Sequence, residues 1–210
     1  MYEKYGQFTD GKWHKSSNGE TYEVINPANE EVLGQASKAS PEDVNKALLS
    51  AQKGLEVWRK TPPWQRAYIL RRIADKMREK QDILAKWMTL EVGKPFAEAK
   101  GEVNGAADIY EWNAEETKRI YGQTVESRFE DTRVHVYYQP VGVVAALVPW
   151  NFPLVLSARK ISTALAAGCS VIVKPDVITP GVVMEQVEIC RECGVPVSYT
   201  HLRAHETNSN

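Results

Sequence analysis

The chain holds 210 residues, 43% of them hydrophobic, and 26 basic against 27 acidic side chains leave a formal charge of −1. That is enough apolar material for one large or two small domains, and the near balance of charge excludes a bulk field that would draw it to nucleic acid or an anionic membrane. With no window near the roughly 18–20 apolar residues of a membrane span, no apolar stretch after Met1-Tyr2-Glu3, and only three cysteines, a cytoplasmic protein with no membrane partner is expected.

The opening segment, to about Ser37, is turn-rich. Asp10-Gly11 is a hairpin signal and Asn26-Pro27 a turn signal, so short strands are expected around Phe8, Trp13 and Tyr22. Ser40-Pro41-Glu42-Asp43 supplies an N-cap, a proline at the first helical position and first-turn acids. Val44, Ala47, Leu48, Ala51, Leu55 and Trp58 follow at helical spacing, and Pro62-Pro63 ends that helix. A second helix carries Ile69, Leu70, Ile73 and Met77. It continues past a break near Gln81 to the stop signal Gly93-Lys94-Pro95. A third helix is expected from Phe96 to Tyr121, with Lys118 and Arg119 in its final turn. Val134-His135-Val136-Tyr137-Tyr138 reads as one leg of an extended ribbon that starts near Val125.

From Gly142 the pattern changes to continuous apolar strands alternating with helices, the signature of a parallel sheet covered on both faces. Residues 143–148 and 171–173 are the two strand runs, with helices over 154–167 and 181–193. After Pro196 a third apolar strand is due. The polar segment 197–210 has no strand run and resembles a translated sequencing adapter, so it is expected to be a non-native tail. His201 and His205 lie four apart in that tail and are assigned no metal, and Cys190-x-x-Cys193 reads as structural rather than metal-binding, so no metal site is expected.

Pro149-Trp150-Asn151-Phe152-Pro153, Arg159-Lys160, Ala164-Leu165-Ala166-Ala167-Gly168-Cys169, Val173-Lys174-Pro175 and Thr179-Pro180 follow one another in an order and spacing that resemble the NAD(P)-dependent aldehyde dehydrogenases. Gly11-Lys12-Trp13, Asn26-Pro27-Ala28 and Glu91-Val92-Gly93-Lys94-Pro95 extend the resemblance upstream. It implies an α/β fold of the aldehyde dehydrogenase type: a truncated Rossmann-like parallel sheet with N-terminal helices and an oligomerisation-type β-ribbon. Residues 1–140 would hold the strands, helices and ribbon, 141–196 the start of the NAD(P)-binding domain, and 197–210 the tail.

The resemblance also implies a reaction. A cysteine thiolate attacks the aldehyde, hydride leaves to the cofactor, and a glutamate-activated water hydrolyses the thioester. The oxyanion formed on the way needs a neutral donor, and the family's asparagine falls on Asn151. A simpler role for Asn151, capping the following helix, stands beside it. The cofactor, NAD or NADP, would meet Val148, Pro149, Trp150, Asn151, Lys160, Lys174, Pro175, Asp176 and Val177, with Lys174 on the adenosine ribose.

Two departures from the family pattern carry information. Val177 stands where NAD-preferring relatives often place a glutamate that repels a 2′-phosphate, which leans the preference towards NADP or dual use; Asp176 is the alternative carboxylate. Arg159 stands where broad-specificity relatives carry tryptophan, and a guanidinium there can grip a substrate carboxylate, as in relatives acting on succinate semialdehyde. An internal ion pair or a subunit contact are the other roles for Arg159. The partners expected are a small aldehyde and, for the full-length form, further copies of itself in a dimer or tetramer. The family's nucleophile and base fall beyond Pro196, so the chain alone is expected to be inactive, and a non-catalytic nucleotide- or subunit-binding module is the alternative.

Overall fold

The computed structural model describes residues 2–196 and the strand Tyr199–His201. Strands β1 (Gln7–Thr9) and β2 (Lys12–His14) form the hairpin expected at Asp10-Gly11, whose two turn residues both take positive φ, 48° and 76°. β3 (Thr21–Ile25) and β4 (Val32–Ser37) pair as a separate antiparallel ribbon. Helix α1 (Pro41–Trp58) starts on a reciprocal capping box between Ser40 and Asp43. The Asp43 carboxylate also accepts from the Ser17 backbone and the Gln7 amide, each at 3.2 Å, tying the helix start to the hairpin. Burial opposes its charge, but the donated hydrogen bonds prevail and hold its carboxyl well below the usual range.

α2 (Pro63–Glu79) and α3 (Gln81–Val92) meet at Lys80, and Gly93 ends α3 in the left-handed conformation at φ 75°. α4 (Phe96–Thr117) stops short of the expected Tyr121. The amides of Lys118 and Arg119 bond carbonyls only three residues back, a tightened end from which the chain straightens into the next strand. Lys118 and Arg119 therefore lie beyond the last helical turn and pair with Glu115 and Glu116. β5 (Gln123–Glu126) and β6 (Arg133–Val136) form the expected ribbon, exposed along both strands, and Tyr137-Tyr138 lie outside it.

The remaining elements are β7 (Val143–Leu147), α5 (Pro153–Ala166), β8 (Ser170–Lys174), α6 (Pro180–Glu192) and β9 (Tyr199–His201). The sheet runs β2-β1-β9-β8-β7, with β7, β8 and β9 parallel and β1 antiparallel to β9. Two expectations are corrected here. The sheet has three parallel strands rather than two, because the backbone of Tyr199–His201 enters it, with β8 and β1 as ladder partners on its two edges. Nor are both faces covered throughout. On β8, Val171 and Val173 join the main core with α5 and α6, while Ile172 packs on Val44 and Ala47 of α1. β7 is an edge strand, and although α1 still touches it, Leu147 is 62% exposed.

α2, α3 and α4 form a further layer outside α5 and α6. Buried polar links tie the layers together: Trp58, at the end of α1, donates to the Leu165 carbonyl of α5 at 2.8 Å, and Gln186 of α6 to the Tyr110 hydroxyl of α4 at 3.0 Å. Gly181 sits where α6 meets α3; a Cβ there would lie 2.3 Å from the Trp87 ring. Among the described residues no helix is long and apolar enough to cross a membrane.

Candidate functional site

β7 and β8 end side by side, with the Val148 amide donating to the Lys174 carbonyl at 3.0 Å. The two loops that follow, Val148–Phe152 and Pro175–Thr179 by position, thus open at the carboxyl edge of a parallel sheet, where α/β folds bind ligands. Pro149, Trp150 and Asn151 are exposed in the first loop; Pro175 is buried and Asp176 and Val177 half-buried in the second. Lys174 is half-buried, and its ammonium has no partner among the described residues. The Asp176 carboxylate accepts from the Ile178 amide at 3.1 Å, so one of its oxygens is spent on its own turn.

Each loop runs into a helix that begins with proline and has no side-chain cap of its own. The cap arrives from another helix. Glu102 of α4 accepts from the amides of Leu154 and Val155 at 3.0 and 3.2 Å, closing the first turn of α5. Glu91 of α3 accepts from Gly181 at 2.6 Å and Val182 at 3.1 Å, closing that of α6. A helix N-terminus is the usual seat for a nucleotide's phosphates. Here both seats are filled by buried carboxylates, which agrees with the lack of a glycine-rich phosphate loop in the sequence.

These caps settle one of the readings of Asn151. The residue in the N-cap position is Phe152, and Asn151's side chain makes no capping bond. Among the described residues its amide is unspent, and the residue lines a cleft of about 510 Å³ together with Lys94, Glu98, Glu102, Phe152 and Arg159. Phe152, Val155 or Leu156, and Arg159 follow at helical spacing, so one face of α5 forms one wall. Gly101 and Gly105 of α4 line the opposite wall without side chains. Arg159 is exposed, and among the described residues its guanidinium has neither an ion pair nor a hydrogen bond. The alternative of an ion pair inside the chain therefore has no support in this structure.

The structure thus brings Asn151 and Arg159 to one cleft and Val148 and Lys174 to one strand edge. Lys160, one position beyond Arg159, is exposed and does not line the cleft. Sequence reasoning missed Glu98 and Glu102 altogether and gave Lys94 no role beyond a helix stop. The available signal was the spacing of Glu98, Gly101, Glu102 and Gly105, which lie on one face of α4.

A model of the aldehyde dehydrogenase family matches residues 13–203. The chain belongs to the aldehyde dehydrogenase family. It is 44% identical over 189 residues to a glutarate-semialdehyde dehydrogenase of Pseudomonas aeruginosa, covering 90% of this chain and 39% of that protein. It is 46% identical over 187 residues to an NADP(+) succinate-semialdehyde dehydrogenase of Escherichia coli, covering 89% of this chain and 39% of the relative. A crystal structure described as an E. coli NADP-dependent enzyme superposes with a TM-score of 0.93 at 42% identity, over 95% of this chain and 42% of that one. The chain spans about two fifths of the length of the curated relatives it matches.

Proposed function

We propose that this chain is the amino-terminal part of an NAD(P)-dependent aldehyde dehydrogenase that oxidises succinate semialdehyde or another small carboxylate-bearing aldehyde. The observation that carries the reading is the unpaired Arg159 guanidinium sharing a cleft with the unspent amide of Asn151. Arg159 would hold the substrate carboxylate through two parallel hydrogen bonds, and Asn151 would donate to the oxyanion at the other end of the molecule. The relatives acting on succinate and glutarate semialdehydes support that substrate class.

The residues at the sheet edge fit a dinucleotide. Lys174 offers an unneutralised ammonium to ribose hydroxyls, and Trp150, 49% exposed, offers a flat apolar wall. When bound, the cofactor would supply the hydride acceptor. Val177 presents no carboxylate to a 2′-phosphate, and Asp176 is partly engaged by Ile178, which favours NADP or dual use. The nucleophilic cysteine and the glutamate base belong to a downstream part of the protein. The three cysteines present are all buried, and burial pushes the Cys190 thiol up to about 12. The exposed β5–β6 ribbon, followed by Tyr137 and Tyr138 at 76% and 64% exposure, suits assembly with further copies of the same chain in the cytoplasm.

The test is reduction of NADP and NAD by the full-length protein, with succinate semialdehyde against an uncharged aldehyde of equal length. Faster turnover of the charged substrate with NADP is expected. No reduction with either substrate overturns the reading, and a strong preference for NAD overturns the cofactor assignment.

A further inference from the structure

Asn151 sits in a loop whose conformation its own residues do little to fix. Pro153 has no amide to donate, Phe152 has no capping atom, and the Asn151 side chain makes no hydrogen bond among the described residues, although the residue lines the cleft. The loop is held from outside, by two residues of another part of the chain. Lys94 and Glu102 form an ion pair with side chains only 10% and 2% exposed. Glu102 uses its first oxygen for the amides of Leu154 and Val155 and its second for Lys94. The same Lys94 ammonium donates to the Asn151 carbonyl at 3.3 Å and lies 3.9 Å from the centre of the Phe152 ring. One pair of charges thus grips the chain at Asn151 and just after it: Lys94 at the Asn151 carbonyl and the Phe152 ring, Glu102 at the first helical amides.

We infer that Lys94 and Glu102 are positioning residues for Asn151, fixing the direction in which its amide enters the cleft. A donor helps an oxyanion only when it is aimed in advance, and loss of aim is felt in the transition state more than in substrate binding. The pair neutralises itself, so Arg159 remains the unpaired cation of the cleft and the two cations have different tasks. The inference rests on the oxyanion role proposed for Asn151 and adds what holds that residue in place.

The experiment is a double-mutant cycle in the full-length enzyme. Lys94→Met with Glu102→Gln removes both charges while keeping the bulk of the stem and an oxygen for the two helix amides. It is measured alone and in an Asn151→Ala background. If the pair acts through Asn151, the double substitution lowers kcat about tenfold with the KM for cofactor unchanged, and adds almost nothing once Asn151 is gone. An unchanged kcat, a change confined to KM, or an equal loss in both backgrounds overturns the inference. Should the double variant not fold, Lys94→Arg carries the same cycle, since it keeps the charge but displaces the donor under the Asn151 carbonyl. The underlying reading is judged separately: if Asn151→Ala alone leaves kcat intact, the oxyanion role fails whatever the pair does.

Discussion

The starts of α5 and α6 are built alike and surrounded differently. Both follow a parallel strand, both open on proline, and both borrow a buried glutamate from another helix as their cap. Glu102, at α5, is neutralised by Lys94 and touches the candidate cleft. Glu91, at α6, is wholly buried, and its further partner is the neutral hydroxyl of Tyr2 at 2.6 Å. Burial pushes the Glu91 carboxyl up to about 7, against the pull of its three hydrogen bonds. One cap serves a loop that borders the cleft; the other locks the N-terminal segment onto the core. The same local device borders a cleft in one place and lies sealed in the core in the other, and only the first has a counter-charge beside it.

That contrast can be broken from the α6 side first. Glu91→Ala leaves three buried donors without an acceptor and is expected to cost about 4 kcal/mol in chemical denaturation, given about 1–3 kcal/mol for each such group and incomplete additivity. A loss below about 1 kcal/mol would show that water replaces the carboxylate and that the α6 cap is not a core lock. Next comes the packing beside each cap. Gly181→Ala drives a methyl into Trp87 and is expected to cost about 3 kcal/mol. Gly105→Ala, whose Cβ would sit an ordinary 3.6 Å from Val155, should be neutral or stabilise by up to about 1 kcal/mol through helix propensity. Equal effects at the two glycines would contradict the difference in tightness.

The smallest expected effect is on pH dependence, and it belongs to α6 alone. Glu91 is raised from an ordinary 4.5 to about 7 in the folded state. Between those values the folded chain keeps a proton that the unfolded chain releases. The stability tied to this group is therefore complete below the unfolded value and is lost as pH rises through 7. Denaturation midpoints at acid and alkaline ends of that window should fall more steeply for the parent than for Glu91→Gln. Parallel slopes would mean that Glu91 is ionised throughout.

Much of this architecture was legible in local sequence. Ser40-Pro41 with Asp43 marked the start of α1, Asp10-Gly11 the first hairpin, and Gly93 the end of α3, because each signal acts within one turn of chain. The motif residues Asn151 and Lys174 could be placed at the ends of strands, and Arg159 on the helix between them, for the same reason. What could not be read were the caps, since Glu102 and Leu154 stand 52 residues apart and Glu91 and Gly181 stand 90 apart. On a helix such glutamates look like ordinary solvated acids. Strand β9 was missed because its place comes from two neighbouring ladders rather than from its own polar residues.

The central claim is that Arg159 faces the cleft of Asn151 as an unpaired cation in order to hold a carboxylate. It is tested most directly by comparing kcat/KM for succinate semialdehyde with that for an uncharged aldehyde of equal length, in the full-length enzyme and its Arg159→Ala variant. Loss of a charge-assisted, two-point contact should lower the ratio by roughly 10- to 100-fold, leaving the uncharged substrate little affected. A ratio unchanged by Arg159→Ala would contradict the account.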